Sequence, residues 1–94
     1  MHAVLIEVDT SGQPDPAVGL KALREEIVPG TSQAPGFQAG YWLRPLGDAK
    51  GTSLVLFDTE ENAEAASQAL GVGSSPMPGV TVVRKEVREV AASA

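Results

Sequence analysis

The sequence predicts an α+β fold whose elements follow the order β-α-β-β-α-β. Four segments rich in apolar, β-branched or aromatic residues are typical of strands. Two further segments carry apolar residues at helical spacing, and each begins with residues that cap helices. Ninety-four residues fit one domain spanning residues 1–94, with no internal linker or repeat.

The first strand and helix occupy the first third of the chain. Residues 2–8 are mostly apolar and β-branched, and turn-forming residues follow at positions 9–12. Asp15 is predicted to cap the first helix, with Pro16 at its first position. The apolar stripe of this helix comprises Ala17, Leu20, Leu23 and Ile27. We expect Pro29-Gly30 to kink or end the helix, although a further turn through residues 31–33 would fit before the next strand.

The second strand, residues 37–43, follows a Pro-Gly turn and contains three of the four aromatic residues. Side chains alternate between the two faces of a strand, so Tyr41 and Trp42 are expected on opposite faces. We predict that Phe37 and Tyr41 face the helices, and that Trp42 and Arg44 face away from them.

The second half of the chain contains the third and fourth predicted strands and the second predicted helix. Residues 45–51 form a predicted hairpin loop, and the third strand runs from Thr52 to Phe57. Either Asp58 or Thr59 caps the second helix, and Gly71 is predicted as its C-cap. After a loop over residues 71–79, the last strand covers residues 80–87 or slightly more.

With right-handed crossovers, this order gives a four-stranded antiparallel sheet with both helices on one face, which is the ferredoxin-like arrangement. The other face would meet water, yet the strands stay apolar for either assignment of their faces. The third strand contributes either Leu54 and Leu56 or Val55 and Phe57 to that face. We therefore expect a homodimer in which two sheets pack face to face into an α+β barrel.

Composition excludes several classes of function. The net charge is −5 and no basic cluster exceeds Arg84-Lys85, so we expect neither nucleic acid nor an anionic membrane as a partner. The chain has no cysteine and one histidine, so we expect no disulfide, no metal site and no cofactor. The start of the chain lacks the pattern of a signal peptide, which predicts a cytoplasmic protein.

Four residues are candidates for ligand binding. Trp42 and Arg44 could hold a planar, weakly acidic molecule by stacking and charge; alternatively, Trp42 fills the dimer barrel and Arg44 lies at its rim. Tyr41 could donate a hydrogen bond to a ligand, or be a core residue with a satisfied hydroxyl. His2 could form a base with a nearby carboxylate, or simply face solvent at the terminus. Arg84, Glu86 and Arg88 alternate along one face of the last strand, where cross-strand ion pairs are their expected use.

Three segments together resemble the dimeric α+β barrel superfamily, and most closely its antibiotic-biosynthesis-monooxygenase-type (ABM-type) domains and their stand-alone relatives. They are Glu26-Ile27-Val28-Pro29, Ala34-Pro35-Gly36-Phe37 with Gly40-Tyr41, and Phe57-Asp58-Thr59-Glu60-Glu61-Asn62-Ala63. The resemblance implies a homodimer with a small cavity between sheet and helices in each subunit. Active members oxygenate aromatic polyketides without a cofactor, or degrade haem. Two positions depart from the family pattern: Phe57 stands where many members have tryptophan, and the only asparagine is Asn62, in the second helix.

Three functions follow from these observations. The first is a dimeric α+β barrel protein that binds a small apolar or aromatic molecule in a cavity beside the sheet. The second is a cofactor-independent monooxygenase acting on an aromatic substrate. The third is a structural oligomerisation module without catalysis, which would have a cavity filled by its own side chains.

Overall fold

A computed structural model of the chain describes residues 1–94. Its elements are β1 His2–Asp9, α1 Pro16–Ala22, a π-helical turn Leu23–Ile27, α2 Val28–Ser32, β2 Phe37–Leu43, β3 Lys50–Phe57, α3 Glu60–Gln68 and β4 Thr81–Glu89. All strand pairs are antiparallel, and the order across the sheet is β2-β3-β1-β4. The predicted α+β architecture with one four-stranded antiparallel sheet is confirmed, and it is consistent with a ferredoxin-like fold.

The first helical segment does not end at Pro29 but continues to Ser32, which agrees with the expected alternative of a further turn after the proline. Asp15 is its N-cap as predicted, because the Asp15 Oδ1 accepts a hydrogen bond of 2.9 Å from the Ala17 N–H. Proline inside an α-helix loses a hydrogen bond, and its ring collides with the carbonyl four residues earlier. Here a π-helical turn precedes Pro29, and the Val28 N–H bonds to the Leu23 carbonyl five residues back. The wider turn accommodates the ring, so α2 extends to Ser32.

The structure shows which of the two predicted residues is the N-cap of α3. Thr59 is the N-cap, since its Oγ1 accepts a hydrogen bond of 3.1 Å from the Asn62 N–H. Asp58 instead accepts a bond from the Asn62 side-chain amide. The prediction that Gly71 caps the other end is wrong, because Ala69 closes the helix by bonding back to the Ala66 and Ser67 carbonyls.

Tyr41 and Trp42 lie on opposite faces of β2 as predicted, but the face predicted for each of them is wrong. Phe37 pairs with Phe57, but Ala39 pairs with the adjacent Leu56, so Gln38 forms a β-bulge. One extra residue in a strand exchanges the faces of every residue that follows it. As a result Phe37 and Trp42 both pack on the helix side, whereas Tyr41 is 57% exposed on the opposite face.

The main cluster of the hydrophobic core lies at the end of the sheet where β1 begins. It consists of Val4, Val55, Phe57 and Ala63, which are nearly inaccessible to solvent. Three further apolar residues are also buried: Ala3, Val80 and Val82. The Phe37 ring meets the Phe57 ring edge to face, with centroids 6.4 Å apart. This end of the helix-facing side is therefore closed by direct contact between α3 and the strands.

The face of the sheet that carries no helix is called the open face below. Cross-strand pairing aligns Tyr41, Leu54, Leu5 and Glu86 in one row across it. The neighbouring rows are Ala39, Leu56, Ala3 and Arg88 on one side, and Leu43, Thr52, Glu7 and Arg84 on the other. Leu54 and Leu56 are thus the apolar β3 residues on this face, which is mainly apolar on the β2 and β3 side and charged along β4.

Candidate ligand-binding cavity

A cavity of about 830 Å³ lies between the helix-facing side of the sheet and the helical segment that spans residues 16–32. Of its 31 lining residues 17 are hydrophobic, so most of its wall is apolar. Its floor is formed by the side chains that β1, β2 and β3 direct toward the helices: Val4, Ile6, Val8, Trp42, Ser53, Val55 and Phe57. A space of this size and lining is characteristic of sites for small organic ligands.

The cavity exists because the first helical segment covers the sheet without packing tightly against it. None of the residues in α1, the π-helical turn or α2 is fully buried. The predicted apolar stripe does face the sheet through Leu20, Leu23 and Ile27, but these residues are only half-buried and line the cavity roof. Ala17, the fourth member of the stripe, is exposed. The side chains on the two walls thus leave a space between them that is partly open to solvent.

The Trp42 ring forms part of the cavity wall and lies over Gly40 of the same strand. Gly40 makes this possible: a Cβ atom built on Gly40 would lie 2.6 Å from Cη2 of the indole. Any larger residue at position 40 would therefore push the ring away from the strand, toward the cavity. The only tryptophan of the chain is thereby placed where a bound aromatic molecule could stack on it.

Polar residues collect at the end of the cavity formed by the loops that follow β1 and β2. Arg44 lies there immediately after β2, and its exposed side chain makes no hydrogen bond or ion pair. Gln13 contributes a side-chain amide whose Nε2 donates to the Met77 thioether at 3.8 Å. Thr10 is also at this end, but its hydroxyl already donates to the Ala49 carbonyl at 2.8 Å.

The structure brings two of the four predicted site residues together and separates the others. Trp42 and Arg44 both line the cavity, whereas Tyr41 lies on the open face. His2 lies at the closed end of the sheet, where its Nε2 is 4.0 Å from the Glu60 carboxylate and its buried Nδ1 has no partner. Ser53, Gln13 and Met77 also line the cavity, and no pattern in the sequence singles them out as site residues.

Charged groups outside the cavity are largely satisfied by local partners. On the open face, Glu86 accepts hydrogen bonds from Arg84 at 2.6 Å and from Arg88 at 2.7 Å. These guanidinium groups, Arg84 first, hold the pKa of the Glu86 carboxyl below its usual value. The Ser11 hydroxyl and backbone N–H likewise lower the pKa of Asp9. These ion pairs join residues two apart along β4 itself, so the prediction that they would form across strands is wrong.

Comparison with models of known protein families finds no match to the chain, and comparison with curated proteins finds none either. No helix of the structure is both long and apolar enough to cross a lipid bilayer. No three side chains of His, Cys, Asp or Glu lie close enough together to hold a metal ion.

Proposed function

We propose that the protein binds a small apolar or aromatic molecule in the cavity between the sheet and the first helical segment. The observation that carries this proposal is the cavity itself, with its volume of about 830 Å³ and its mainly hydrophobic lining. Ligand sites commonly combine such a lining with a few polar groups that orient the ligand. The open space also counts against a purely structural module, whose cavity would be filled by its own side chains.

Trp42 provides the test of this proposal, because it is the only tryptophan and lies in the cavity wall. We expect a neutral aromatic probe such as 2-naphthalenemethanol to quench or shift its fluorescence. Trp42→Ala should weaken binding about tenfold, since a stacked and buried aromatic contact contributes about 1.5 kcal/mol. Gly40→Ala should also weaken binding, because the added methyl displaces the indole into the cavity. Isothermal titration calorimetry measures both variants.

Tyr41→Ala is the matched control, since Tyr41 is the adjacent aromatic residue but lies on the opposite face of the sheet. Its affinity for the probe should equal that of the unchanged protein. The proposal is contradicted if no aromatic probe binds. It is equally contradicted if Tyr41→Ala weakens binding while Trp42→Ala and Gly40→Ala leave it unchanged.

We further propose that the protein forms a homodimer through the open face, as expected for an ABM-type dimeric α+β barrel. The large side chains of Tyr41 and Leu43 are 57% and 58% exposed there, and they adjoin Leu5, Leu54 and Leu56. A sheet face that is exposed to water normally carries mainly polar residues. A second copy of the same face would cover these side chains and leave the charges of β4 near the rim.

Cofactor-independent oxygenation is the second candidate function, and the position of Trp42 in an apolar cavity favours it. The reaction converts an anthrone-type methylene and O₂ into the corresponding quinone carbonyl and water, so the substrate itself supplies the electrons. We expect oxygen uptake with anthrone, lost in Trp42→Ala and retained in Tyr41→Ala. If anthrone binds without oxygen uptake, this candidate is wrong and the function is binding alone.

A further inference from the structure

The two ends of the cavity differ in their chemistry. Along β3, Val55 and Phe57 line the closed end, where Ala66 of α3 completes an apolar wall. The opposite end is built from loops and contains the charged residues Arg44 and Asp48. A ligand that satisfies both ends must therefore have an apolar body and a single polar head group.

Arg44 differs from the other basic residues of the chain because it has no partner and lines the cavity. Four of the seven Lys and Arg side chains have partners: Lys50 lies 3.6 Å from Glu7, Arg84 and Arg88 bond Glu86, and Lys85 donates to the Ser67 carbonyl. The three without a hydrogen bond or an ion pair are Lys21, Arg24 and Arg44. Of these, only Arg44 lines the cavity, where it is the sole cation. Its planar guanidinium is suited to a carboxylate, which it can bind through two parallel hydrogen bonds.

The acidic residues of the lining limit the charge that the head group can carry. Glu26 of the π-helical turn and Asp48 of the loop between β2 and β3 are the only other ionisable residues there. The Asp48 Oδ1 is already engaged, since it accepts a hydrogen bond of 2.9 Å from the Lys50 N–H. Two carboxylates in the same lining repel a dianion more strongly than a monoanion.

We infer that the cavity takes an amphipathic monocarboxylate, with its apolar body against Trp42 and its carboxylate on the Arg44 guanidinium. Arg44 then determines the ligand class, whereas the apolar wall supplies most of the affinity. This inference rests on the proposed binding function and narrows it to one chemical class.

Four naphthalene probes with the same apolar body test the head group: 2-naphthoate, 2-naphthalenemethanol, 2-naphthylmethylamine and 2-naphthyl phosphate. We expect 2-naphthoate to bind the unchanged protein about three- to fivefold more tightly than the neutral alcohol, the range expected of a partly hydrated ion pair. The cationic amine and the phosphate dianion should both bind more weakly than 2-naphthoate. Trp42 fluorescence and calorimetry give the affinities.

Arg44→Gln should reduce the affinity for 2-naphthoate to that for the alcohol and leave the alcohol unaffected. Arg24→Gln is the matched control, because Arg24 is also an exposed arginine without a partner but lies outside the cavity. Absence of binding for all four probes contradicts the proposed binding function. Binding of the alcohol as tightly as 2-naphthoate, or equal effects of Arg44→Gln and Arg24→Gln, contradicts this inference alone.

Discussion

Phe57→Ala is expected to lower the free energy of unfolding by about 3–5 kcal/mol. Phe57 is only 1% exposed, is one of the two largest fully buried side chains, and contacts Phe37 edge to face. Its removal takes away the largest side chain of a small core with seven buried apolar residues. A domain of this size is stable by about 5–14 kcal/mol in total, so the loss is a large fraction.

Urea denaturation at one fixed protein concentration measures this effect, since association would otherwise change the apparent stability. Leu46→Ala is the control: Leu46 is fully exposed, and its truncation should change stability by less than about 0.5 kcal/mol. Phe57→Leu keeps the test informative if the alanine variant does not fold, with an expected loss of about 1 kcal/mol. Losses in Phe57→Ala no larger than those in Leu46→Ala would show that the core lies elsewhere.

The element order and most strand limits were predictable from the sequence because they depend on local chemistry. Asp15 caps α1 and residues 37–43 form β2, as capping preference and apolar pattern predict. The sequence left open whether the helix ends at Pro29 or continues for a further turn, because the π-helical turn that removes the steric conflict of the proline has no local signal. Local sequence preference favours the end of a helix before proline, and the π-helical turn before Pro29 removes that preference here.

The candidate site was predictable only in part, because several of its features depend on contacts between distant parts of the chain. The pairing of Trp42 with Arg44 followed from their spacing, and both do line one cavity. The face of the sheet on which they lie was not predictable, because the bulge at Gln38 is fixed by pairing with β3 and has no signal in the sequence of β2. The cavity depends on how far the helical segment stands from the sheet, which is a property of tertiary packing. Gln13 and Met77 come from distant loops and meet only in the folded chain.

Leu54→Glu is expected to weaken the proposed homodimer by at least about a hundredfold, because a carboxylate would lose its hydration at the centre of an apolar interface. Leu54 lies in the middle row of the open face, between Tyr41 and Leu5. The fold itself should persist, since the change affects the face opposite the core. Sedimentation velocity across a dilution series measures the association, and circular dichroism checks the fold.

Val18→Glu provides the matched control, since Val18 is a 63% exposed apolar residue of α1, away from the open face. It adds the same negative charge without touching the proposed interface, so it should remain dimeric. A monomeric unchanged protein at micromolar concentration would contradict the dimer. If both variants dissociate equally, the cause is the added negative charge and not the position of the substitution. The chain already carries a net charge of −5, so a further negative charge increases repulsion between two copies. Selective dissociation of Leu54→Glu would identify the apolar rows of β2 and β3 as the surface that joins the two copies.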